Sequence, residues 1–333
     1  MNFDLTVIWA LIIVFAIFVY VVMDGFDLGI GILFPTLSVG NERDTAMNSV
    51  APVWDGNETW LVLGGGGLLA AFPLAYGVLL TALYAPIIAM LLALVFRGVA
   101  FEFRWRDPAH RRYWDIAFTG GSIVAALSQG IVLGAILQGV EVSGRAYSGG
   151  WWDWLTPFSL MTGVSLVVGY ALLGATWLIM KTEGDLQRHA TRLAWKLGAG
   201  TLVAVAAVSA ATPFLEGAYF DRWLSFPNIL MVAPVPLLVA AAAYGFARSL
   251  RSGHDHAPFL LTLFVFLLSF IGLGISIFPY VVPGALTIYD AASDRSAQVF
   301  MLVGTAVLVP LILAYTAWAY WVFRGKVKSE GYH

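Results

Sequence analysis

Long apolar runs, separated by short polar breaks, make up most of the chain. A helix that crosses the roughly 30 Å hydrocarbon layer of a membrane needs about 20 mostly apolar residues. Nine runs meet this requirement, near residues 6–37, 51–72, 76–98, 114–138, 158–180, 193–213, 228–248, 258–281 and 298–323. The pattern predicts an all-α polytopic membrane protein with nine transmembrane helices. Because the breaks are short and contain no linker, we expect residues 1–333 to form a single transmembrane domain.

The basic residues are divided unevenly between the two sides that these nine helices define. Fifteen of the 18 Lys and Arg residues, Lys328 among them, fall on one side, and the other side receives Arg145, Arg222 and Arg295. Cytoplasmic loops collect Lys and Arg, so the side with fifteen basic residues is expected to be cytoplasmic. The chain is therefore predicted to begin outside the cell and to end in the cytoplasm.

The composition removes several classes of function. Only 11% of the residues are charged and 60% are hydrophobic, whereas soluble domains have roughly 25% charged residues. The net charge of -2 offers no basic surface for nucleic acid. The absence of cysteine excludes disulfides and thiolate metal sites. The five histidines fall in predicted cytoplasmic loops, at helix edges or in the tail: His110, His189, His254, His256 and His333. We therefore expect this chain to bind no metal or haem itself.

Four carboxylates lie in the cytoplasmic halves of the first two predicted helices. Asp24 and Asp27 are three residues apart in the first helix, and Asp55 and Glu58 repeat that spacing in the second, so each pair shares a helix face. Ionisable residues inside a membrane are costly and are functional candidates by default. The pattern predicts a proton path that enters from the cytoplasm. The alternative is that these acids cap helix starts or pair with loop arginines near the lipid headgroups.

Two further charges belong to the same side of the membrane. Arg97 ends the third predicted helix and Asp115 begins the fourth. Trp54 and Trp60 flank the second acidic pair. These positions predict that one end of the bundle gathers the acids, an arginine and two large aromatic rings.

The glycines predict close helix packing. Gly25 and Gly29 are four residues apart, as are Gly130 and Gly134, and small residues at this spacing let membrane helices approach closely. The run at residues 64–67 contains four glycines but lacks the preceding strand and the Lys-Ser or Lys-Thr of a phosphate-binding loop. We expect it to serve packing, with a groove for a lipid, a quinone tail or a gas path as the alternative.

Several motifs resemble one family closely. They are Met-Asp-Gly-Phe-Asp-Leu-Gly at 23–29, Trp-Asp-Gly-Asn-Glu-Thr-Trp at 54–60, Leu-Val-Phe-Arg-Gly-Val-Ala-Phe-Glu-Phe-Arg at 94–104 and Phe-Pro-Tyr-Val-Val-Pro at 278–283. In this order the motifs resemble subunit II of bacterial cytochrome bd-type quinol oxidases. The resemblance covers both ends of the chain and is weak from about residue 144 to residue 255.

The resemblance implies a haem-free subunit of a heterodimer in the bacterial cytoplasmic membrane. Its partner, subunit I, would carry haems b and d, oxidise quinol and reduce O2 to water with protons taken from the cytoplasm. The implied fold is two four-helix bundles plus one peripheral helix. The resemblance also allows small single-helix accessory subunits and a bound structural quinone or lipid.

The resemblance also implies roles for individual residues. Asp55 matches the family's proposed proton-path carboxylate and Asp27 matches the acid of its first-helix motif. Asp24 and Glu58 are assigned to the same proton pathway. Trp54 and Trp60 are assigned to an oxygen or quinone route or to the subunit interface, and Arg97 and Asp115 to structural charge.

Two other functions remain open from the sequence. A proton-coupled transporter would also carry acids in its helices, although transporters usually show internal repeats and broken helices in corresponding halves. A purely structural assembly subunit would use the acids for packing and subunit contacts.

Overall fold

The computed structural model describes residues 4–327 of the chain, and Lys328 and His333 lie outside the described residues. Within that range the fold is almost entirely helical. The helices are α1 Leu5–Leu33, α2 Asn41–Asn48, α3 Trp54–Ala71, α4 Pro73–Ala82, α5 Tyr84–Arg106, α6 Arg111–Gln138, α7 Pro157–Lys181, α8 Gly184–Ala211, α9 Gly217–Trp223, α10 Asn228–Val232, α11 Pro234–Arg251, α12 Ala257–Ile277 and α13 Arg295–Val322.

Two small antiparallel hairpins, which the hydropathy pattern did not predict, lie in the connections. β1 Val142–Ser143 pairs with β2 Ala146–Tyr147, and β3 Tyr280–Val282 pairs with β4 Leu286–Thr287. Such short strands are missed by periodicity because two or three residues carry no measurable alternation.

The helices fit the prediction of a polytopic membrane protein. Among residues 4–327, eight helical segments are long and apolar enough to cross a membrane. The pair formed by α3 and α4 meets the same criteria together but is bent by 120° at the break between them. The count is therefore eight spans, or nine if the bent pair is one span.

The predicted third helix at residues 76–98 is wrong in its boundaries. The structure ends α4 at Ala82 and begins α5 at Tyr84, so the span runs to Arg106 and the first part of the predicted helix belongs to the bent pair. Prolines explain the breaks: Pro73 forces Phe72 out of the α region, with φ −132° and ψ 62°, and Pro86 lies in the first turn of α5. The hydropathy pattern predicted no broken helix, whereas the structure contains this one.

α1 lies at the centre of the helix packing. It contacts α3, α6 and α7, while α5 packs on α6, α7 packs on α8, and α11 packs on α12. α13 contacts α1 and α3 and leaves most of its apolar surface exposed. The acids of the first two predicted spans are therefore carried by two helices that contact each other.

Glycines permit the closest of these contacts, as predicted. A Cβ at Gly29 would lie 2.0 Å from the backbone oxygen of Tyr170, and a Cβ at Gly130 would lie 2.6 Å from the Cα of Gly163. The four-glycine run divides into two pairs: Gly64 and Gly67 face α1, while residues 65 and 66 face open space.

Candidate functional site

Three acids from two helices surround one arginine inside the bundle. Asp24 and Asp27 on α1 and Arg97 on α5 are 0% exposed, and Glu58 on α3 is partly exposed. The Arg97 guanidinium lies 4.0 Å from Asp24, 3.9 Å from Asp27 and 3.5 Å from Glu58, measured between nearest nitrogen and oxygen atoms. We call these four residues the Arg97 cluster. It contains three carboxyl groups and one guanidinium.

Helix geometry and aromatic rings hold the Arg97 cluster together. The three-residue spacing turns both α1 acids toward α5, and Glu58 lies in the second turn of α3. Trp54 stacks on Phe101 with ring centroids 4.8 Å apart, and the guanidinium lies 5.9 Å and 5.2 Å from the centres of these rings. A cation on an aromatic face is stabilised by the ring quadrupole, which compensates in part for burial of the arginine.

Most polar atoms of the Arg97 cluster are not engaged in direct hydrogen bonds. Within residues 4–327 no partner meets full hydrogen-bond geometry at the three guanidinium nitrogens, at either Asp24 oxygen or at Asp27 Oδ1. Separations of 3.5 to 4.0 Å between the guanidinium and the carboxyl groups are within ion-pair range but too long for good direct hydrogen bonds. The cluster is thus held by electrostatic attraction rather than by direct hydrogen bonds.

Asn57 and Tyr320 extend the site and were missed by the sequence analysis. The Asn57 amide donates to Asp27 Oδ2 at 2.5 Å and to the Met23 carbonyl at 3.2 Å. The Tyr320 hydroxyl, from α13, donates to Asn57 Oδ1 at 2.9 Å. Asn57 stands in the same motif as Asp55 and Glu58, so a polar residue beside buried acids was the available signal. No local signal indicates Tyr320, because it lies 263 residues from Asn57.

Asp55 does not join the Arg97 cluster. Its side chain is exposed on α3, and no hydrogen bond or ion pair joins it to another residue that the structure describes. Glu58, one turn further along α3, is the member of the cluster that reaches the surface, with 32% of its side chain exposed. The two acids of this pair therefore occupy an outer and an inner position on the same helix.

The two tryptophans of the motif have different surroundings. Trp54 covers Arg97 as described above. Trp60 is fully buried, packs in a small core with Ala16 and Tyr20, and meets Phe15 edge to face at 5.9 Å. Its indole N–H has no partner within residues 4–327.

Asp115 belongs to a second charge network. It accepts from Arg43 at 2.7 Å and from Arg104 at 2.5 Å, and Arg104 also contacts Asp44 at 2.9 Å. Arg111 forms a further ion pair with Asp44. We call this end of the molecule the Arg-rich end. The sequence placed Asp115 beside the other acids, whereas the structure gives it two arginine partners of its own, Arg43 of α2 and Arg104 in the last turn of α5.

Two groups outside the membrane-spanning helices have shifted pKa values. His110 contacts Asp107 at 2.9 Å, and this hydrogen bond lowers the pKa of the Asp107 carboxyl. At the other end, burial raises the pKa of Tyr219 to about 12, so that its hydroxyl stays protonated at neutral pH.

Comparison with known proteins identifies the family. A family model for cytochrome bd terminal oxidase subunit II matches residues 5–323. The chain belongs to this family. Cytochrome bd-I ubiquinol oxidase subunit 2 of Escherichia coli is 32% identical, over 97% of this chain and 95% of that protein. Cytochrome bd ubiquinol oxidase subunit 2 of Bacillus subtilis is 27% identical, over 97% of both chains.

A solved structure shares the fold of this bd oxidase subunit. The bd oxidase from Geobacillus thermodenitrificans superimposes with a TM-score of 0.78, at 20% identity, and the match covers 96% of this chain and 98% of that one. Family membership makes the chain part of a quinol-oxidising oxidoreductase complex with subunit I, in the inner membrane of a bacterium.

This bd oxidase subunit has no cysteine, so histidine and carboxylate groups are its candidate metal ligands. Within residues 4–327, no group of three or more His, Asp or Glu residues has the geometry to hold a metal ion. The described histidines lie at helix ends or in loops: His110, His189, His254 and His256. His189 lies in the second turn of α8, where its ring is 3.9 Å from Glu42.

Proposed function

We propose that this chain is the haem-free subunit of a bd-type quinol oxidase and supplies protons to chemistry that takes place on subunit I. Haems b and d, quinol oxidation and O2 reduction to water belong in this proposal to the partner. The observation that carries the proposal is the Arg97 cluster: three carboxyl groups around one guanidinium, in the interior of the bundle.

The cluster has the properties that proton transfer needs. The positive charge of one guanidinium neutralises the negative charge of one carboxylate. Further carboxylates around the same guanidinium repel one another, because the surroundings are poorly hydrated. Protons are therefore shared among Asp24, Asp27 and Glu58. Glu58, which reaches the surface, exchanges protons with the exterior of the chain, and Asp55 on the same helix extends the route outward. All three carboxyl groups lie within 3.5 to 4.0 Å of the same guanidinium, so a change of charge on one acid is felt by the other two.

The proposed orientation places the Arg-rich end in the cytoplasm, with the N-terminus outside. The concentration of Arg43, Arg104 and Arg111 at that end supports it. The proposed arrangement is two four-helix bundles plus one peripheral helix. We further propose that subunit I packs on the face formed by α3 and α13, where apolar side chains are exposed and Asp55 opens to the surface.

A bound lipid or quinone tail has a suitable place on this face. An apolar groove of about 410 Å³ runs between α1, α3 and α13, and Phe15, Leu63 and Pro310 are among the residues that line it. The groove begins next to the four-glycine run, so the structural quinone or lipid that the family resemblance allows is assigned to this position.

The proposal is tested with the complex of this chain and subunit I, purified together. Glu58→Gln and Asp55→Asn each remove one proton-accepting carboxylate with little change in shape. Both variants are expected to keep the haem absorbance and to slow quinol-driven O2 uptake. Asp185→Asn is the matched control, because Asp185 is an exposed acid whose one ion pair among residues 4–327 is with neighbouring Arg188 on α8. Full turnover with full haem content in both variants would remove these acids from the proton route.

The bent pair of α3 and α4 is the observation that favours a transporter. The chain is therefore also reconstituted without subunit I. A transporter would move protons alone, whereas the oxidase proposal expects haem absorbance and O2 uptake only in the complex. Loss of haem in the acid variants would instead favour an assembly role.

A further inference from the structure

A chain of three polar side chains leads from the Arg97 cluster into the contact between α1, α6 and α7. The Tyr170 hydroxyl donates to Gln129 Oε1 at 2.7 Å, and Gln129 Nε2 donates to the Tyr20 hydroxyl oxygen at 2.8 Å. Tyr20 and Tyr170 are 3% and 0% exposed. We call these residues the Tyr20 relay. Nothing in the proposed proton route uses them.

The relay has a direction. The Gln129 amide has an accepting side, its oxygen, and a donating side, its NH2 group. Because the oxygen accepts from Tyr170, the NH2 group faces Tyr20. The Tyr20 oxygen then accepts, and its own proton is left for another acceptor. In the reverse direction Tyr20 would donate to Gln129 and would present oxygen lone pairs to Asp24. The negative charge of Asp24 therefore favours the observed direction.

The acceptor for the Tyr20 proton is one helical turn away. Tyr20 and Asp24 are four residues apart on α1, and side chains at this spacing are neighbours on one helix face. Within residues 4–327 no donor meets strict hydrogen-bond geometry at either oxygen of Asp24, but the Tyr20 hydroxyl is close enough to interact with this carboxyl group. The Tyr20 proton thus lies beside a carboxylate for which the described residues supply no other donor.

The packing around the relay maintains this arrangement. The Tyr170 ring lies against Gly25, where a Cβ would come within 2.8 Å of Tyr170 Cε1. The glycine beside Asp24 therefore lets α7 bring its hydroxyl close enough to orient Gln129.

We infer that the Tyr20 relay makes Tyr20 a positioning residue, whose hydroxyl proton is directed at Asp24 and keeps that carboxylate oriented toward Arg97. The inference rests on the proposed proton route for its effect on turnover, but the contact itself is independent of that route. Gln129 and Tyr170 act through Tyr20.

The test measures the contact and the turnover separately in the complex with subunit I. The infrared carboxyl band of Asp24 is assigned by its disappearance in Asp24→Asn. Tyr20→Phe and Gln129→Met, which remove the donor and the group that orients it, are expected to shift this band in the same direction. Both are expected to slow O2 uptake roughly 10-fold or more, because the loss of one hydrogen bond to a charged group corresponds to at least this factor.

Tyr219→Phe is the matched control. Tyr219 is also 3% exposed, and its hydroxyl donates to the Leu137 carbonyl at 3.2 Å, away from the Arg97 cluster. It should leave the Asp24 band and O2 uptake unchanged. An unshifted band in Tyr20→Phe would overturn the relay, and so would an equal shift in the control. A shifted band with normal O2 uptake would keep the Tyr20 contact and refute the proton route through Asp24. Gln129→Met decides the question if Tyr20→Phe does not assemble.

Discussion

Replacement of Gly29 by alanine tests whether the α1–α7 crossing sets the geometry of the site. A Cβ at this position would lie 2.0 Å from Tyr170 O and 2.7 Å from Gly174 N, both of which are backbone atoms. Side-chain repacking cannot relieve such a contact. To restore an ordinary separation of 3.4 Å to the Tyr170 oxygen, the two helices must move apart by roughly 1.4 Å.

The expected cost follows from this displacement. Overpacking typically destabilises a protein by about 1–3 kcal/mol, and the upper end applies because two backbones must move. For about 3 kcal/mol we expect the melting midpoint to fall by roughly 5 to 10 °C. Since Asp27 lies two residues before Gly29, the shift of α1 should also draw the acids away from Arg97 and lower O2 uptake.

The assay is thermal unfolding of the purified complex, with midpoints compared at one scan rate because membrane complexes unfold irreversibly. Gly120→Ala is the matched control: Gly120 lies inside α6, and a Cβ there meets nothing within 4 Å. It should be neutral or stabilising, since alanine favours a helix over glycine by roughly 0.5–1 kcal/mol. A Gly29→Ala complex that melts within about 1 °C of the Gly120→Ala complex would refute the reasoning.

Three further predictions concern the Arg-rich end, the amide at the site and the orientation of the chain. Arg104→Gln breaks a buried ion pair and should cost about 3–5 kcal/mol, whereas Arg106→Gln, at an exposed pair, should cost less than about 1 kcal/mol, both measured by thermal unfolding. Asn57→Leu leaves the Asp27 carboxylate without its donor and should lower stability by about 1.5–3 kcal/mol in the same assay. In whole cells, a membrane-impermeant thiol reagent should label Ser148→Cys and spare Ser252→Cys, because the chain has no native cysteine and these exposed residues lie at opposite ends of the bundle.

Each of these predictions has a result that contradicts it. Equal losses for Arg104→Gln and Arg106→Gln would mean that burial does not decide the strength of the ion pairs. A stable Asn57→Leu complex would mean that the amide is not required to satisfy Asp27. Labelling of the Ser252→Cys chain alone would reverse the proposed orientation.

Asp24, Asp27 and Arg97 illustrate how much of the site can be predicted from local sequence. Their residue types, set among apolar neighbours, indicated burial and a shared side of the membrane before any contact was known, and the structure confirms that they come together. Asp115 carried the same local signal and yet pairs with Arg43 and Arg104. The difference arises because hydropathy reports the depth of a residue, and depth does not specify which neighbouring helix a side chain faces.

The hydropathy of the chain alone determined that it spans a membrane many times, and the alternation of its basic residues predicted which end faces the cytoplasm. Both inferences depend on whether each segment prefers lipid or water, and this preference follows from the residues of that segment alone. The motifs indicated the family for the same reason, since they are local.

Only the tertiary structure decided the partners: Arg97 among three acids, Asn57 between Asp27 and Tyr320, and Gln129 between two tyrosines. It also decided the bend between α3 and α4. Such contacts join residues up to 263 positions apart. They depend on crossing angles and on close approach at positions such as Gly29, which arise when all the helices pack at once.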